Sequence, residues 1–495
     1  MRSRTAGASS LLLFLLPLAI LGQERTPAEY TRAIEGPQDA PGPDDLGLLT
    51  IEELLEEFGV PGVSVAVIKD FAVHWAKGYG IADVETGAPV DPETMFQAAS
   101  ISKPVTAMAV LKAVEDGLFT LDTDINDILT SWTLDGGGFT DERPVTPRTL
   151  HSHTSGLGDG FGYPGYEPDG PIPTALQTLD GEAPSNTRRL FMERPPLTFS
   201  EYSGGGITLM QVALSDARGR PFEDIMRDDV LAPIGMTRSS FEQPISPDND
   251  RNAARGHDGE GRAQGPKWHV YPEMAAAGLW TTAGDLARFA IEVQKSARGE
   301  STRVLSQAAV QEMLSPVGVG EFAVGFSIAH EGEGWYFSHG GGNWGFICTL
   351  VAHKVKGYGV AIMTNANRGG AVVSEIFRRV RGAYEWDWDS EGVPRGYDPI
   401  PDLEEIDVAE DLLQSYVGTY EMEDDGRRLT VTLEEGRLQV QPDGQPKLTI
   451  YAETEERFFL RVAAVLVTFI RSDAGDVTGM VMHQGGTDIT ARRVR

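Results

Sequence analysis

The stretch "FQAASISKPVTAMAVLKAVEDG", residues 96–117, decides how this chain is read. Val105, Met108, Ala109, Leu111 and Val114 recur at helical spacing and mark one buried face. Gly117 supplies a helix stop. The spacing predicts a helix that starts near Ser100, with Lys103 one turn further on. Positions i and i+3 share a face, so the Lys103 ammonium is placed to reach the Ser100 hydroxyl. The positive end of the helix dipole favours an alkoxide at that point. A buried lysine with a lowered pKa can act as general base for such a serine. The same spacing also suits an N-cap serine followed by a surface lysine, so the pair acquires meaning only through partners elsewhere.

Working outward, "LLTIEELLEEFGV" (48–60) reads as an amphipathic helix ending at Gly59. "GVSVAVIKD" (62–70) and "FAVHWAKGYGIAD" (71–83) read as the two strands of a hairpin. Helical and loop-rich sequence follows to about residue 315. Strand-like runs return at 321–331, 335–354 and 358–367, and a helix is expected over 371–386. Strands therefore open and close the region with helices between them. That pattern implies an α+β domain over 47–385, whose central antiparallel sheet joins the two ends of the segment around a helical insert.

From Glu385 to Asp425 there are 15 acidic residues and one basic residue, Arg395, which suggests an acidic linker over 386–402. Beyond it, short β-rich runs alternate with turns such as "EEG" and "DAG". An independent all-β module is expected over 403–495. At the other end, Arg2 and Arg4 precede the apolar run Leu11 to Leu21 and the small residue Gly22. Residues 1–22 are expected to be a secretory signal peptide, too short to span a bilayer easily. The protein is then exported, periplasmic or extracellular, with no stable membrane span after cleavage. Residues 23–46, rich in Pro, Gly, Asp and Glu, read as a linker or loosely held arm.

With 42 basic and 73 acidic residues the net charge is −31, which argues against a nucleic-acid partner. Cys348 is the only cysteine, so no internal disulfide forms, and its apolar setting marks it as a buried strand residue. Asp122, Asp124 and Asn126 begin like a calcium loop, but Asp127 stands where the sharp turn needs glycine. No His-Glu-x-x-His pattern, cysteine cluster or Gly-x-Ser-x-Gly elbow occurs.

Three further stretches change the weight of the Ser100–Lys103 pair. "FSEYSGGGITLM" (199–210) places Tyr202 before a flexible glycine loop and a helix. "AAGLWTTAGDLARF" follows at 276–289, and "SHGGGNWGF" (338–346) puts His339 and three glycines between strand-like runs. In order and spacing, with "LHSHTSGL" (150–157) and "LAPIGM" (231–236), these resemble the serine β-lactamase and penicillin-recognising family. The likeness is to its class C β-lactamase-like branch, which includes D-peptidases and esterases, and it covers about 47–385.

The resemblance implies a β-lactamase/transpeptidase-like domain that cleaves a small ester, amide or D-peptide through an acyl-enzyme, with no metal or organic cofactor. Ser100 matches the acylated nucleophile and Lys103 its partner base. Tyr202 matches the tyrosine that exchanges the proton with the leaving group, as a phenolate or by relay through Lys103. His339 falls where lysine or histidine opens the third motif, and Gly341 would let the strand approach the substrate closely. The N–H groups of Ser100 and Gly342 would form the oxyanion hole. His151 and His153 are read as hydrogen-bonded structural residues.

Two positions depart from the family pattern. Tyr202-Ser203-Gly204 lacks the asparagine usually found in the third place, whose amide grips the substrate's acyl-side amide. His339 stands where a lysine would supply a permanent cation for a substrate carboxylate, whereas an unperturbed histidine, with a pKa of about 6.5, is largely neutral at pH 7. Both fit an esterase, amidase or D-peptidase better than a potent β-lactamase. A catalytically silent protein that binds wall fragments is the reading from another class. "YVGTYE" (416–421), "RFFL" (457–460) and "ITARRVR" (489–495) resemble the small lipocalin-like β-barrel that trails such hydrolases.

Overall fold

The computed structural model describes residues 25–38, 43–158, 163–263, 265–317, 319–332, 334–389, 405–422, 428–434, 436–442, 447–460, 465–472, 475–484 and 487–494. The expected signal peptide lies outside the described residues. Among those described, no helix is long and apolar enough to cross a membrane.

The first hairpin forms as its alternation suggests. Strand β1 (Gly62–Lys69) pairs antiparallel with β2 (Ala72–Asp83), Val63 opposite Tyr79 and Val65 opposite Lys77. The other strands before the barrel are β3 (Ala88–Pro89), β4 (Phe96–Gln97), β5 (Trp280–Thr281), β6 (Ser327–Glu331), β7 (Gly334–Asn343), β8 (Phe346–His353) and β9 (Gly359–Thr364). A seven-stranded antiparallel sheet runs in the order β3-β2-β1-β9-β8-β7-β6, while β4 and β5 pair separately. The first and last strands of the segment thus meet at the sheet centre, with Val65 opposite Ile362.

Both faces of that sheet are covered, so its central strands are apolar on both sides. Val63, Val65, Val67, Val360 and Ile362 face one core cluster, and Ala66, Ile68, Ala361 and Met363 face the other. This two-residue alternation is the pleat of the strand. The first face is closed by α1 (Pro27–Glu35), α2 (Ile51–Phe58) and the later helix 369–383. The second face carries the insert, with α3 (Ser102–Glu115), α4 (Gly204–Arg218), α5 (Met274–Ala277) and α6 (Ala283–Ala297); the helix that closes the first face is α7 (Gly369–Ala383).

The described part of the arm expected as a linker over 23–46 is packed, and so is the start of the expected acidic linker, most of which lies outside the described residues. Residues 27–35 form α1, started by a Thr26–Glu29 capping box, with Ile34 fully buried. Buried Arg379 of α7 holds this arm, donating to the carbonyls of Ile34, Gly36, Leu46 and Leu49. Glu375 pairs with the same guanidinium at 2.7 Å. Composition alone hides this, because much of the hold on the arm is on its backbone carbonyls, which carry no residue-type signal. Likewise Asp387, at the start of the expected acidic linker, accepts hydrogen bonds from Tyr336, Tyr358 and Lys356. The incipient calcium loop is also structural: Asp124 caps a one-turn helix, and Asp122 pairs with Arg148.

The C-terminal strands β10 (Gly418–Met422), β11 (Arg428–Glu434), β12 (Arg437–Pro442), β13 (Leu448–Ala452), β14 (Arg457–Leu460), β15 (Val465–Arg471), β16 (Val477–Gln484) and β17 (Thr487–Val494) close into a barrel. Tyr420, Leu429, Val431, Leu438, Ile450, Phe458, Val467 and Met480 fill its core. The expected α+β domain and all-β module are therefore both present.

Candidate active site

Ser100 sits in a short 3₁₀ turn, Ala99–Ile101, that runs into α3. Ala99 has a φ of 48°, in the left-handed region that alanine seldom occupies. The surroundings hold it there. Ser102 Oγ donates to the Ala99 carbonyl at 2.5 Å and accepts from Leu279 N at 2.9 Å. Ala98 N donates to the Leu279 carbonyl at 2.8 Å. The strand β7 backs directly onto this turn. A Cβ on Gly341 would lie 2.3 Å from the Ala98 carbonyl oxygen and 2.5 Å from Cys348 Sγ. Only glycine permits that approach. Cys348 is buried, and its Sγ donates to the Ala98 carbonyl at 3.0 Å.

Lys103 is 1% exposed. Its Nζ donates to Ser100 Oγ at 3.0 Å and to the Ala276 carbonyl of α5 at 2.7 Å. Tyr202 shares a hydrogen bond with Ser100, and Lys103 Nζ stands 4.9 Å from the Tyr202 ring centre. Burial holds the Tyr202 phenol well above its ordinary pKa, so the resting group is neutral.

The glycines after Tyr202 are not a flexible loop. They form the first turn of α4, capped by Ser203 Oγ, which accepts from Gly206 N at 2.8 Å. The small residues let that turn pack closely: a Cβ on Gly206 would meet Leu150 at 3.1 Å and Leu157 at 3.2 Å. His153 is structural, as expected, but it also positions the phenol. Its Nδ1 accepts from Ser203 N at 3.2 Å, and its ring lies 4.2 Å from that of Tyr202. Phe322 packs edge-on against His153 at 4.7 Å.

His339 lies within β7 and not at a strand end. Its Nδ1 is 2.6 Å from the Gly340 carbonyl. A carbonyl only accepts, so Nδ1 carries the proton. Nε2 is buried with no hydrogen-bond partner among the described residues. The ring centre is 6.1 Å from that of Tyr202. Burial, and then the charge of Lys103, push the His339 pKa down to about 3. The same two causes take His151 to about 3 and hold His153 well below the histidine range. All three imidazoles are thus neutral at pH 7. Gly342, the next residue but two, pairs with Ile347 of β8.

One buried acid beside this site carries no sequence signal. Glu273 precedes α5, whose Ala276 carbonyl takes the Lys103 hydrogen bond. Its Oε1 accepts from Thr178 Oγ1 at 3.4 Å, and Oε2 has no partner among the described residues. Burial pushes its pKa up to about 7. A raised carboxyl pKa means stability that is full below the unfolded value and lost as pH rises through 7. Between pH 5 and 8 the wild type should lose stability relative to Glu273→Gln, on the order of 3 kcal/mol. Thermal melts of both proteins at the two pH values check this, and parallel profiles would contradict it.

A serine on a strained turn, bonded to a buried lysine and a tyrosine beside an antiparallel sheet, defines the class of serine hydrolases related to β-lactamases and penicillin-binding proteins. Residues 49–385 match the family model described as Beta-lactamase, and the chain belongs to that family. Residues 404–493 match a domain of unknown function, DUF3471. Among curated relatives, Penicillin-binding protein 4 of Amycolatopsis lactamdurans is 26% identical over 396 residues, 75% of this chain and 96% of its own length. Esterase EstB of Burkholderia gladioli is 30% identical over 220 residues, 42% of this chain and 53% of its own. The fold also matches the octameric penicillin-binding protein homologue from Pyrococcus abyssi at a TM-score of 0.54 and 20% identity, over 89% of this chain and 98% of that one.

Proposed function

We propose that this chain is an exported serine hydrolase that cleaves a small ester or amide through an acyl-enzyme at Ser100. The observation that carries the reading is the double engagement of Ser100, by Lys103 Nζ at 3.0 Å and by the Tyr202 hydroxyl. Lys103, in its neutral amine form, takes the Ser100 proton as Oγ attacks the carbonyl. Tyr202, neutral at rest, relays a proton to the leaving group, and His153 and Phe322 keep its ring in place. The N–H groups of Ser100 and Gly342 hold the oxyanion, each such donor lowering the barrier by about 3 kcal/mol. Water then attacks the acyl-enzyme along the same proton path and releases the acid.

The neutral state of His339 favours ester substrates over D-peptides. A site with no permanent cation at this position binds a free carboxylate weakly. His339 Nδ1–H is spent on Gly340, which leaves Nε2 as an acceptor for a substrate hydroxyl or N–H. Incubation with a fluorescent phosphonate, with p-nitrophenyl acetate and nitrocefin turnover followed in parallel, tests the reading. Labelling should be lost in Ser100→Ala, and ester turnover should exceed nitrocefin turnover. Nitrocefin dominance would favour a β-lactamase. No labelling and no turnover would make the chain a silent binding protein.

A further inference from the structure

Gly204 stands two residues after Tyr202, in the first turn of α4. A Cβ built on it would lie 2.9 Å from Cε2 and 3.4 Å from Cζ of Tyr163. The Tyr163 ring therefore occupies the space into which any side chain at 204 would grow. Its hydroxyl is 2.9 Å from Thr208 Oγ1, and Thr208 Oγ1 donates to the Gly204 carbonyl at 3.2 Å. The ring is thus pinned along the same helical turn that follows the phenol bonded to Ser100.

The neighbouring wall is aromatic, and its amides are engaged. Gln97 donates through Nε2 to the His269 carbonyl at 2.7 Å, and its Oε1 accepts from Asn343 Nδ2 at 2.8 Å. Asn343 Nδ2 also donates to the Ala277 carbonyl at 3.1 Å. Trp344 stacks on His269 with ring centres 4.6 Å apart, and its backbone N–H donates to the Tyr271 hydroxyl at 3.0 Å. A Cβ on Gly165 would lie 2.7 Å from Tyr271 Cζ, so the segment carrying Tyr163 packs against this wall.

We propose that Tyr163 is a specificity-determining residue of this site, its ring receiving the substrate's acyl group in the place a side chain at 204 would otherwise take. The inference rests on the acyl-enzyme at Ser100 proposed above and adds the substrate class: esters of flat, apolar acids such as arylacetic acids. An aryl group gains by stacking on the ring face. An acyl group that carries an amide gains less from the ring face, and the donor groups of Gln97 and Asn343 are already bonded within the wall.

The test compares kcat/KM for p-nitrophenyl phenylacetate and p-nitrophenyl N-acetylglycinate in the full chain. The wild type should prefer the phenylacetate. Tyr163→Ala should lower that preference about fivefold to tenfold, the range of a lost aromatic contact. Tyr163→Phe, which keeps the ring, should retain the preference. Gly204→Ala should lower it by displacing the ring, and the double variant should lose no more than Tyr163→Ala alone, because both changes act on one group. Unchanged preference in Tyr163→Ala, or additive losses in the double variant, would overturn the inference while leaving the acyl-enzyme intact. Should Tyr163→Ala not fold, Tyr163→Leu and Gly204→Ala carry the same comparison. A wild type that neither labels with the phosphonate nor turns over either ester would overturn both readings, and phosphonate labelling alone tells the two failures apart.

Discussion

Lys103→Met should lower kcat/KM for ester hydrolysis by about a thousandfold or more, at the upper range for loss of a general base. Methionine keeps most of the buried stem, so packing in α3 is nearly preserved. What goes is Nζ, with its bonds to Ser100 Oγ and the Ala276 carbonyl. No other group near Ser100 can take its place at neutral pH. Tyr202 is held protonated by burial, and burial with the charge of Lys103 holds His153 and His339 well below the usual histidine range. The pH profile is the second readout. Because His339 titrates near 3, no limb between pH 5 and 8 should belong to it, and His339→Gln should keep the wild-type inflections. A Lys103→Met enzyme within tenfold of wild type would remove the lysine from the proton path.

Gly341→Ala should cost about a hundredfold in kcat and destabilise the fold by roughly 1–3 kcal/mol. The added methyl would stand 2.3 Å from the Ala98 carbonyl oxygen, 2.5 Å from Cys348 Sγ and 3.2 Å from Ala99 Cβ. All three neighbours are backbone or tightly packed groups. The strand must therefore retreat from the turn that carries Ser100. That retreat separates the proposed oxyanion donors on Ser100 and Gly342, and a displacement near 1 Å is enough for a loss of this size. Gly340→Ala is the control. Its Cβ would meet only the Cys348 carbonyl oxygen, at 3.9 Å, so the second variant should lose less than about threefold. Kinetics with p-nitrophenyl acetate and thermal melts of the two variants decide it; equal effects would show that the close approach at 341 is not what matters.

Much of this architecture is legible in local patterns. The two-residue alternation of 62–83 produces the hairpin, the helical spacing after Ser100 produces α3, and Gly59 and Gly117 mark stops at positive φ. The Ser-x-x-Lys pair needs only one helical turn to bring Nζ to Oγ, so its geometry follows from spacing alone. The alternating β runs beyond residue 418 form the all-β module that their turns suggest, closed as the barrel that the family resemblance implies. Such features depend on neighbours a few residues apart, and short-range sterics and periodicity write them directly into the chain.

Other features depend on contacts between residues well separated along the chain, for which no spacing rule exists. The glycine run at 204–206 looks like a loop, yet Ser203, Leu150 and Leu157 make it a helix start. The acidic and proline-rich arm looks unbound, yet Arg379, more than three hundred residues away, gathers its carbonyls. His153 shows no sign of facing the phenol, nor Tyr163 of lying over Gly204. Glu273 becomes a buried acid only because its surroundings close over it. In each case the deciding partner is a backbone carbonyl, a ring face or the absence of solvent. These carry no residue-type signature along the chain and come into being only when the sheet brings its two ends together.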